Sequence, residues 1–176
     1  MTDEQDQYCT FMVADYCLAV EVRKVQEVLR YQKMTRVPLA SRLVRGLINL
    51  RGQIVVAIDL RRRMGLPDRE PGNPPMNVIL RTEQGAVSLL VDKIGDVCNA
   101  PRDLFEAPPE TLRELGRELI RGVYKLPDRL LILLDAERAI ASAVAPVNQA
   151  ISKHGERPSV SDGGTPRAQS SERVGT

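Results

Sequence analysis

The sequence predicts a mainly β protein built as two similar small lobes, and three observations predict it. First, the chain nearly repeats itself: Val44 to Leu60 (VRGLINLRGQIVVAIDL) lies ungapped over Ile120 to Ala136 (IRGVYKLPDRLLILLDA) at an offset of 76, with Arg45/Arg121, Gly46/Gly122, Leu50/Leu126 and Asp59/Asp135 identical. Second, Leu18 to Leu29 lies over Val87 to Cys98 at an offset of 69, pairing Lys24 with Lys93, Val25 with Ile94 and Glu27 with Asp96, so the second copy carries 7 extra residues between its two blocks. Third, the apolar runs are short and punctuated by turn-forming residues, as hairpins require. Two copies of one β-rich unit meet along a boundary, and that seam is where a binding groove is expected.

Tyr8 to Val13 and Cys17 to Val22 read as a hairpin turning at Ala14-Asp15-Tyr16. Arg23 to Leu29 places Val25, Val28 and Leu29 on one helical face, which predicts a short helix or turn. Lys33 to Val37 reads as a strand stopped by Pro38. Ser41 to Leu47 leads into a second hairpin centred on Gly52, where a tight turn requires positive φ. The second copy has Pro127-Asp128 at that point, a different turn chemistry for the same geometry. Ile54 to Ile58 is a continuous apolar run, hence a strand buried on both faces. Asp59 is read as the N-cap of a short helix from Leu60 to Met64, closed by Gly65 and Pro67, and Asp135 plays the same part before Ala136 to Ala143. Residues 65–75, with four prolines and two glycines, form the linker between copies. Met76 to Arg81 and Ala86 to Val91 repeat the opening hairpin, Pro101 to Gly116 holds the insertion, and Glu110 to Leu115 is expected to form one helical turn. The domain is expected to span residues 8–143. Residues 1–7 and the tail 144–176, rich in Ser, Gly, Pro, Arg and Glu, are expected to be disordered, because they bury too little to offset their ordering entropy.

With 43% apolar residues, no Trp and only Phe11 and Phe105 for phenylalanine, the core must be aliphatic. A balance of 25 basic against 23 acidic side chains gives no drive toward nucleic acid or a membrane surface. No apolar run is long enough to span a bilayer and the N-terminus (MTDEQDQ) is acidic, so a cytoplasmic location is expected. Cys9, Cys17 and Cys98 are odd in number and sit in apolar runs without CxxC spacing, which reads as small buried hydrophobes in a reducing compartment. The only histidine, His154, lies in the tail. No histidine base, His/Cys metal cluster or GxxxxGK phosphate loop is present, so neither catalysis nor a cofactor is expected. Arg61-Arg62-Arg63 is the one basic run; a solvated helix face explains it better than a nucleic-acid groove, since the strands lack aromatic platforms for single-stranded bases.

Val25-Gln26-Glu27-Val28, then Arg45 through Gly52 (RGLINLRG), then Ile54 through Arg61 (IVVAIDLR), in this order and spacing, resemble the CheW family, the coupling proteins of bacterial chemosensory arrays. The resemblance covers about Tyr8 to Ala143. It implies two pseudo-symmetric, intertwined five-stranded β-barrels with short helices, and a non-catalytic adaptor in two-component signal transduction. Its implied partners are the regulatory domain of a CheA-type histidine kinase and the cytoplasmic tip of a chemoreceptor, with no nucleic acid, no metal and no direct membrane insertion. The implied location is cytoplasmic, at receptor arrays. An adaptor of a non-motility chemosensory pathway is the alternative within the class; a single-strand nucleic-acid-binding double barrel is the alternative outside it.

The resemblance also implies site residues. Val25 and Gly46 match positions whose substitution affects receptor coupling in the family. Glu27 and Arg51 match a paired carboxylate and guanidinium, expected to bridge the helical turn and the hairpin tip that Asn49, Leu50 and Gly52 complete. In the second copy, Val91, Ile94, Asp96 and Val97 match positions expected near a partner. Read from residue type alone, Val25, Val91 and Val97 are core residues, and Gly46 only permits a bend. An amphipathic helix is expected in the groove between lobes. The chain departs from the family at Ala57, where proline is usual, and at Ser88, where glycine is frequent; Ala57 restores a backbone donor and is expected to alter a sheet edge.

Overall fold

The computed structural model of the chain describes residues 5–141, 143, 144 and 147. Its strands are β1 (Gln5–Val13), β2 (Tyr16–Glu21), β3 (Val25–Leu29), β4 (Val44–Leu50), β5 (Gln53–Asp59), β6 (Met76–Thr82), β7 (Gly85–Val91), β8 (Lys93–Pro101), β9 (Phe105–Glu106), β10 (Ile120–Lys125) and β11 (Leu130–Leu134). A four-residue helix, α1 (Leu60–Arg63), follows β5. Residues 136–141, 143, 144 and 147 are helical after β11. The rest of the helical content is short 3-10 turns, including Glu110–Leu115 where a turn was expected.

Two sheets result. The six-stranded sheet runs β8-β1-β2-β11-β10-β9 and the five-stranded sheet runs β3-β6-β7-β5-β4. The repeat maps one onto the other in order: β8 corresponds to β3, β1 to β6, β2 to β7, β11 to β5 and β10 to β4. Each sheet is therefore a mixture of the two copies. The first copy's opening hairpin sits beside the second copy's closing strands, and the reverse holds in the other sheet. The exchange creates one parallel pair per sheet, β2 with β11 and β7 with β5. Even the irregularities repeat. Both β3 and β8 bulge near their starts, between Val25 and Glu27 and between Ile94 and Val97. Both β4 and β10 bulge beside the repeated glycine, at Val44/Gly46 and Ile120/Gly122.

The expected mainly β fold of paired five-stranded units is present, with one added strand. β9 pairs with β10 at Val123↔Glu106, and the first copy has at that place only a single bridge, Thr35↔Leu47. That bridge is all that remains of the strand expected over Lys33 to Val37.

Three further expectations are corrected. Arg23 to Leu29 is not helical beyond a 3-10 turn at Val22–Lys24; Val25 starts a strand. The bulge inserts a residue between Val25 and Glu27, so Val25 and Val28 both pack on the core although three apart, which mimics a helical period. The N-terminal strand starts at Gln5, not Tyr8, because β8 supplies ladder partners for Gln5, Asp6 and Gln7. Val144 and Val147, assigned to the tail, are helical and buried. They continue the stripe of Ala136, Ala139, Ile140 and Ala143, which recurs at helical spacing. Residues 1–4 and 148–176, including His154, lie outside the described residues.

The seam is closed. One core cluster takes Phe11, Val13, Leu18 and Val20 from the first hairpin, Ile120, Val123, Ile132 and Leu134 from the strands beside it, and Val56, Ile58, Val78, Leu80, Val87 and Leu89 from the other sheet. The groove expected between lobes is thus occupied by the shared core, because strand exchange turns the apolar inner faces of both sheets toward each other. Smaller clusters fill the outer side of each lobe: Tyr8, Ala19, Tyr124, Leu131 and Leu133 in one, Ile48, Ala57 and Leu90 in the other. Val55 to Ile58 are buried on both faces as expected, whereas Ile54, at the hairpin tip, is exposed.

Candidate functional site

The β4–β5 hairpin is a two-residue turn in which Leu50 pairs with Gln53 and both Arg51 (φ 52°) and Gly52 (φ 87°) are left-handed. That is the turn geometry whose twist matches flanking strands. Glycine takes it without strain; Arg51 does not, and Asn49 Oδ1 braces the turn by accepting from Gly52 N at 2.9 Å. The fixed tip aims Arg51 at edge strand β3, where Arg51 Nη2 donates to Glu27 Oε2 at 3.2 Å. The expected ion pair is present, although Glu27 sits on a strand rather than a helical turn. Arg51 is 80% exposed at its side chain and Glu27 17%, so the pair contributes little to stability and leaves most of the guanidinium free to meet another surface.

Gly46 has no room for a side chain. A Cβ there would lie 2.6 Å from Thr35 O and 3.0 Å from Met34 Cβ, in the segment that bridges to β4. Gly122 is in the same position against Phe105 and Glu106 of β9. The repeated glycine therefore admits a crossing segment at the bulge of each lobe, more than a simple bend. Val25 and Ile94, equivalent in the repeat, are both partly buried on the rim of the shared core. Asp96 and Val97 are exposed on edge strand β8, and Val97 is 58% accessible. Thr10 Oγ1 donates to the Asp96 carbonyl at 2.7 Å, which holds the bulge. Val91 is fully buried in the core and presents nothing to a partner. The candidates thus divide: Glu27, Gly46, Asn49, Leu50, Arg51 and Gly52 cluster on one lobe at β3 and the hairpin, while Ile94, Asp96 and Val97 lie on the equivalent edge of the other.

The two departures from the family pattern are cross-strand neighbours, Ala57↔Ser88. Ser88 is buried and its hydroxyl donates to Asn77 Oδ1 at 3.0 Å, while Asn77 Nδ2 donates to Arg30 O at 3.0 Å. Ala57 is not at an edge. It lies on β5, between β4 and β7, opposite Gly46 at the bulge, a place where a missing backbone donor is tolerated.

Sequence reasoning missed one buried constellation. Asp92, after β7, accepts from Arg61 Nη2 at 2.7 Å, from Arg61 Nε at 2.9 Å and from Ala14 N at 2.7 Å. Arg69, in the linker, donates to Asp59 Oδ2 at 2.9 Å and to Leu90 O at 3.0 Å. Its Nε makes a 2.7 Å ionic contact with Asp92 Oδ1 that is too bent for a hydrogen bond, so that N–H is left without an acceptor. Burial opposes the charge on Asp92, and the donors from Arg61 and Ala14 outweigh it, holding the carboxyl below the usual range. No local signal announces the network, since Asp92 is 31 residues from Arg61. Asp59 still caps α1 as expected, accepting from Arg61 N at 3.0 Å.

The Arg61-Arg62-Arg63 run is not a solvated face. Arg61 holds Asp92, Arg62 holds Asp68 at 2.8 Å and Arg42 O at 3.1 Å, and Arg63 holds Glu118 at 2.9 Å and Ala139 O at 3.2 Å. All three arginines are structural, which removes the basic run a nucleic-acid reading needed. Cys9 is buried and Cys17 and Cys98 are partly so; burial raises the thiol pKa of Cys9 and Cys98, which disfavours the thiolate form. Among the described residues no group of three or more His, Cys, Asp or Glu is placed to hold a metal, and no helix is long and apolar enough to cross a membrane.

Comparison with known proteins is consistent across sequence and fold. The family model described as CheW-like domain matches residues 7–144. A chemotaxis protein CheW of Bacillus subtilis (strain 168) is 31% identical over 135 residues, covering 77% of this chain and 86% of that protein. A chemotaxis protein CheW of Treponema pallidum (strain Nichols) is 29% identical over 146 residues, covering 81% and 86%. The crystal structure of the scaffolding protein TtCheW from Thermoanaerobacter tengcongensis superposes with a TM-score of 0.69 at 24% identity, covering 74% of this chain and 89% of that one.

Proposed function

This chain belongs to the CheW-like domain family, and from that premise we propose that it is a non-catalytic adaptor coupling chemoreceptors (methyl-accepting chemotaxis proteins) to a CheA-type histidine kinase. The observation that carries this reading is that the family match spans residues 7–144, nearly the whole strand-exchanged unit, so the resemblance embraces both lobes and edge strands β3 and β8 rather than one motif. We assign the domain to that unit, whose closing helix takes in Val144 and Val147. The protein works in the cytoplasm, at receptor arrays.

The geometry suits an adaptor. The rigid hairpin tip and edge strand β3 of one lobe offer the Glu27–Arg51 pair, whose exposed guanidinium gives orientation and specificity to a protein contact. Edge strand β8 of the other lobe offers Asp96 and Val97, so two partners can be engaged at once. Each contact can be modest, because an array multiplies them.

Calorimetry with the regulatory domain of the CheA-type kinase tests the reading. Arg51→Glu is expected to weaken binding about tenfold while the fold melts as before, and adding Glu27→Arg to restore the pair with reversed polarity is expected to recover part of it. No detectable association of the parent protein with either the kinase domain or a receptor-tip fragment would defeat the adaptor reading.

A further inference from the structure

We propose that the loop joining β3 to β4 forms a cationic socket that captures a carboxylate-bearing segment of a partner protein. Between Glu27 and Asp59 the chain runs 31 residues without an acid, while carrying Arg30, Lys33, Arg36, Arg42, Arg45 and Arg51. The fold gathers part of this charge at one place. A depression of about 420 Å³ is lined by Tyr31, Met34 and Pro75 and rimmed by Arg36, Arg45 and Arg62. Arg62 is neutralised by Asp68. Arg36 and Arg45 form no salt bridge among the described residues; Asp68 feels the charge of Arg45 but is hydrogen-bonded to Arg62, so both guanidiniums keep donors facing the depression.

The socket is built rather than incidental. Thr35 and Leu47 exchange both main-chain hydrogen bonds, at 2.9 and 2.8 Å, and fix the loop against β4 between Arg36 and Met34. Arg62 Nη1 ties Arg42 O at 3.1 Å from the α1 side, and Val44 N donates to Ser41 O at 2.9 Å. The same loop projects Leu39 fully into solvent from a left-handed backbone (φ 60°), a strained presentation of an apolar side chain.

These features select the occupant. Unpaired guanidiniums call for carboxylates, which they bind in a forked geometry. The half-exposed Tyr31 ring and the carbon-rich walls of Met34 and Pro75 call for apolar neighbours in the same segment. Asp68 and Glu70 line an adjoining depression with Tyr31 and Arg45, so a continuous phosphodiester backbone or an anionic lipid layer would run against them, whereas a carboxylate carried on a single side chain can sit over Arg36 and Arg45 alone. A peptide with spaced carboxylates and intervening apolar side chains satisfies all three. The inference stands independently of the adaptor reading, because it uses neither the Glu27–Arg51 pair nor β8.

The test is fluorescence anisotropy with the full chain and three probes: a labelled peptide of alternating Glu and Leu, a labelled single-stranded oligonucleotide, and vesicles of phosphatidylserine and phosphatidylcholine. The double variant Arg36→Glu/Arg45→Glu is compared with Arg81→Glu/Lys93→Glu, which changes net charge equally at exposed positions elsewhere. The acidic peptide is expected to bind the parent and the control alike, to lose about tenfold or more in the Arg36/Arg45 variant, and to weaken as salt rises. The milder Arg36→Gln/Arg45→Gln variant, with unchanged melting temperature, is expected to show an intermediate loss. Equal losses in both double variants, no peptide binding by the parent, or tighter binding of oligonucleotide or vesicles through the same two arginines would overturn the proposal.

Discussion

Gly46 and Gly122 occupy one position of the repeat and meet one constraint: a segment crosses their bulge too closely for a Cβ. Gly46→Ala is expected to push Thr35 off Leu47 and to cost roughly 1–3 kcal/mol in chemical denaturation, with Gly122→Ala similar because it drives a methyl into the Phe105 ring. The valines separate differently. Val91→Asp buries an unpaired charge in the shared core and is expected to cost more than about 3 kcal/mol, whereas Val97→Asp on the exposed edge of β8 should stay within about 0.5 kcal/mol of the parent. If thermal melts ranked the two the other way, Val91 would have to be a surface residue. The Ala57↔Ser88 pair shows how residue-scale departures survive: they fall side by side, and the added hydroxyl finds Asn77. Family matching named Val91 for a partner surface; its type alone named it for the core, and packing sided with its type.

At the scale of elements, capping and periodicity were legible where the chain supplies its own partner. Asp59 caps α1 and Asp135 Oδ1 accepts from Arg138 N at 3.1 Å, both readable from a carboxylate placed just before a short helix. β3 was not legible, because its bulge converts a strand's alternation into a three-residue spacing. The closing helix runs past Ala143, since Val144 and Val147 continue its apolar stripe; the compositional shift that begins there masks the period in the sequence. The Arg61–Asp92–Arg69–Asp59 network joins α1, the linker and the β1–β2 turn, so it is an element-level staple. Asp92→Asn is expected to cost about 3 kcal/mol, because it leaves two part-buried guanidiniums short of charge. The pH dependence follows in sign. Asp92 holds its proton less tightly folded than unfolded, so its contribution is complete above 3.8, its unfolded value, and is lost as pH falls through the lowered folded value. Acid titration of the melting temperature should therefore show a shallower fall in Asp92→Asn than in the parent.

For the whole molecule, strand exchange has a sharp consequence. Each sheet draws strands from both copies and both face one core, so neither copy is a folding unit. Separate fragments covering 5–65 and 76–147 are expected to lack cooperative melting, and mixing them is expected to restore β signal by circular dichroism. An isolated fragment that melts cooperatively would show that each copy closes its own lobe. Duplication, β class, turn positions and the adaptor family could all be read from the linear chain, because apolar spacing, turn chemistry and motif order are local properties. Which copy's strands sit in which lobe, the filling of the seam, and the pairing of Arg61, Arg62 and Arg63 could not. Those depend on contacts between residues far apart in the chain, whose energies exist only once the sheets have closed on each other.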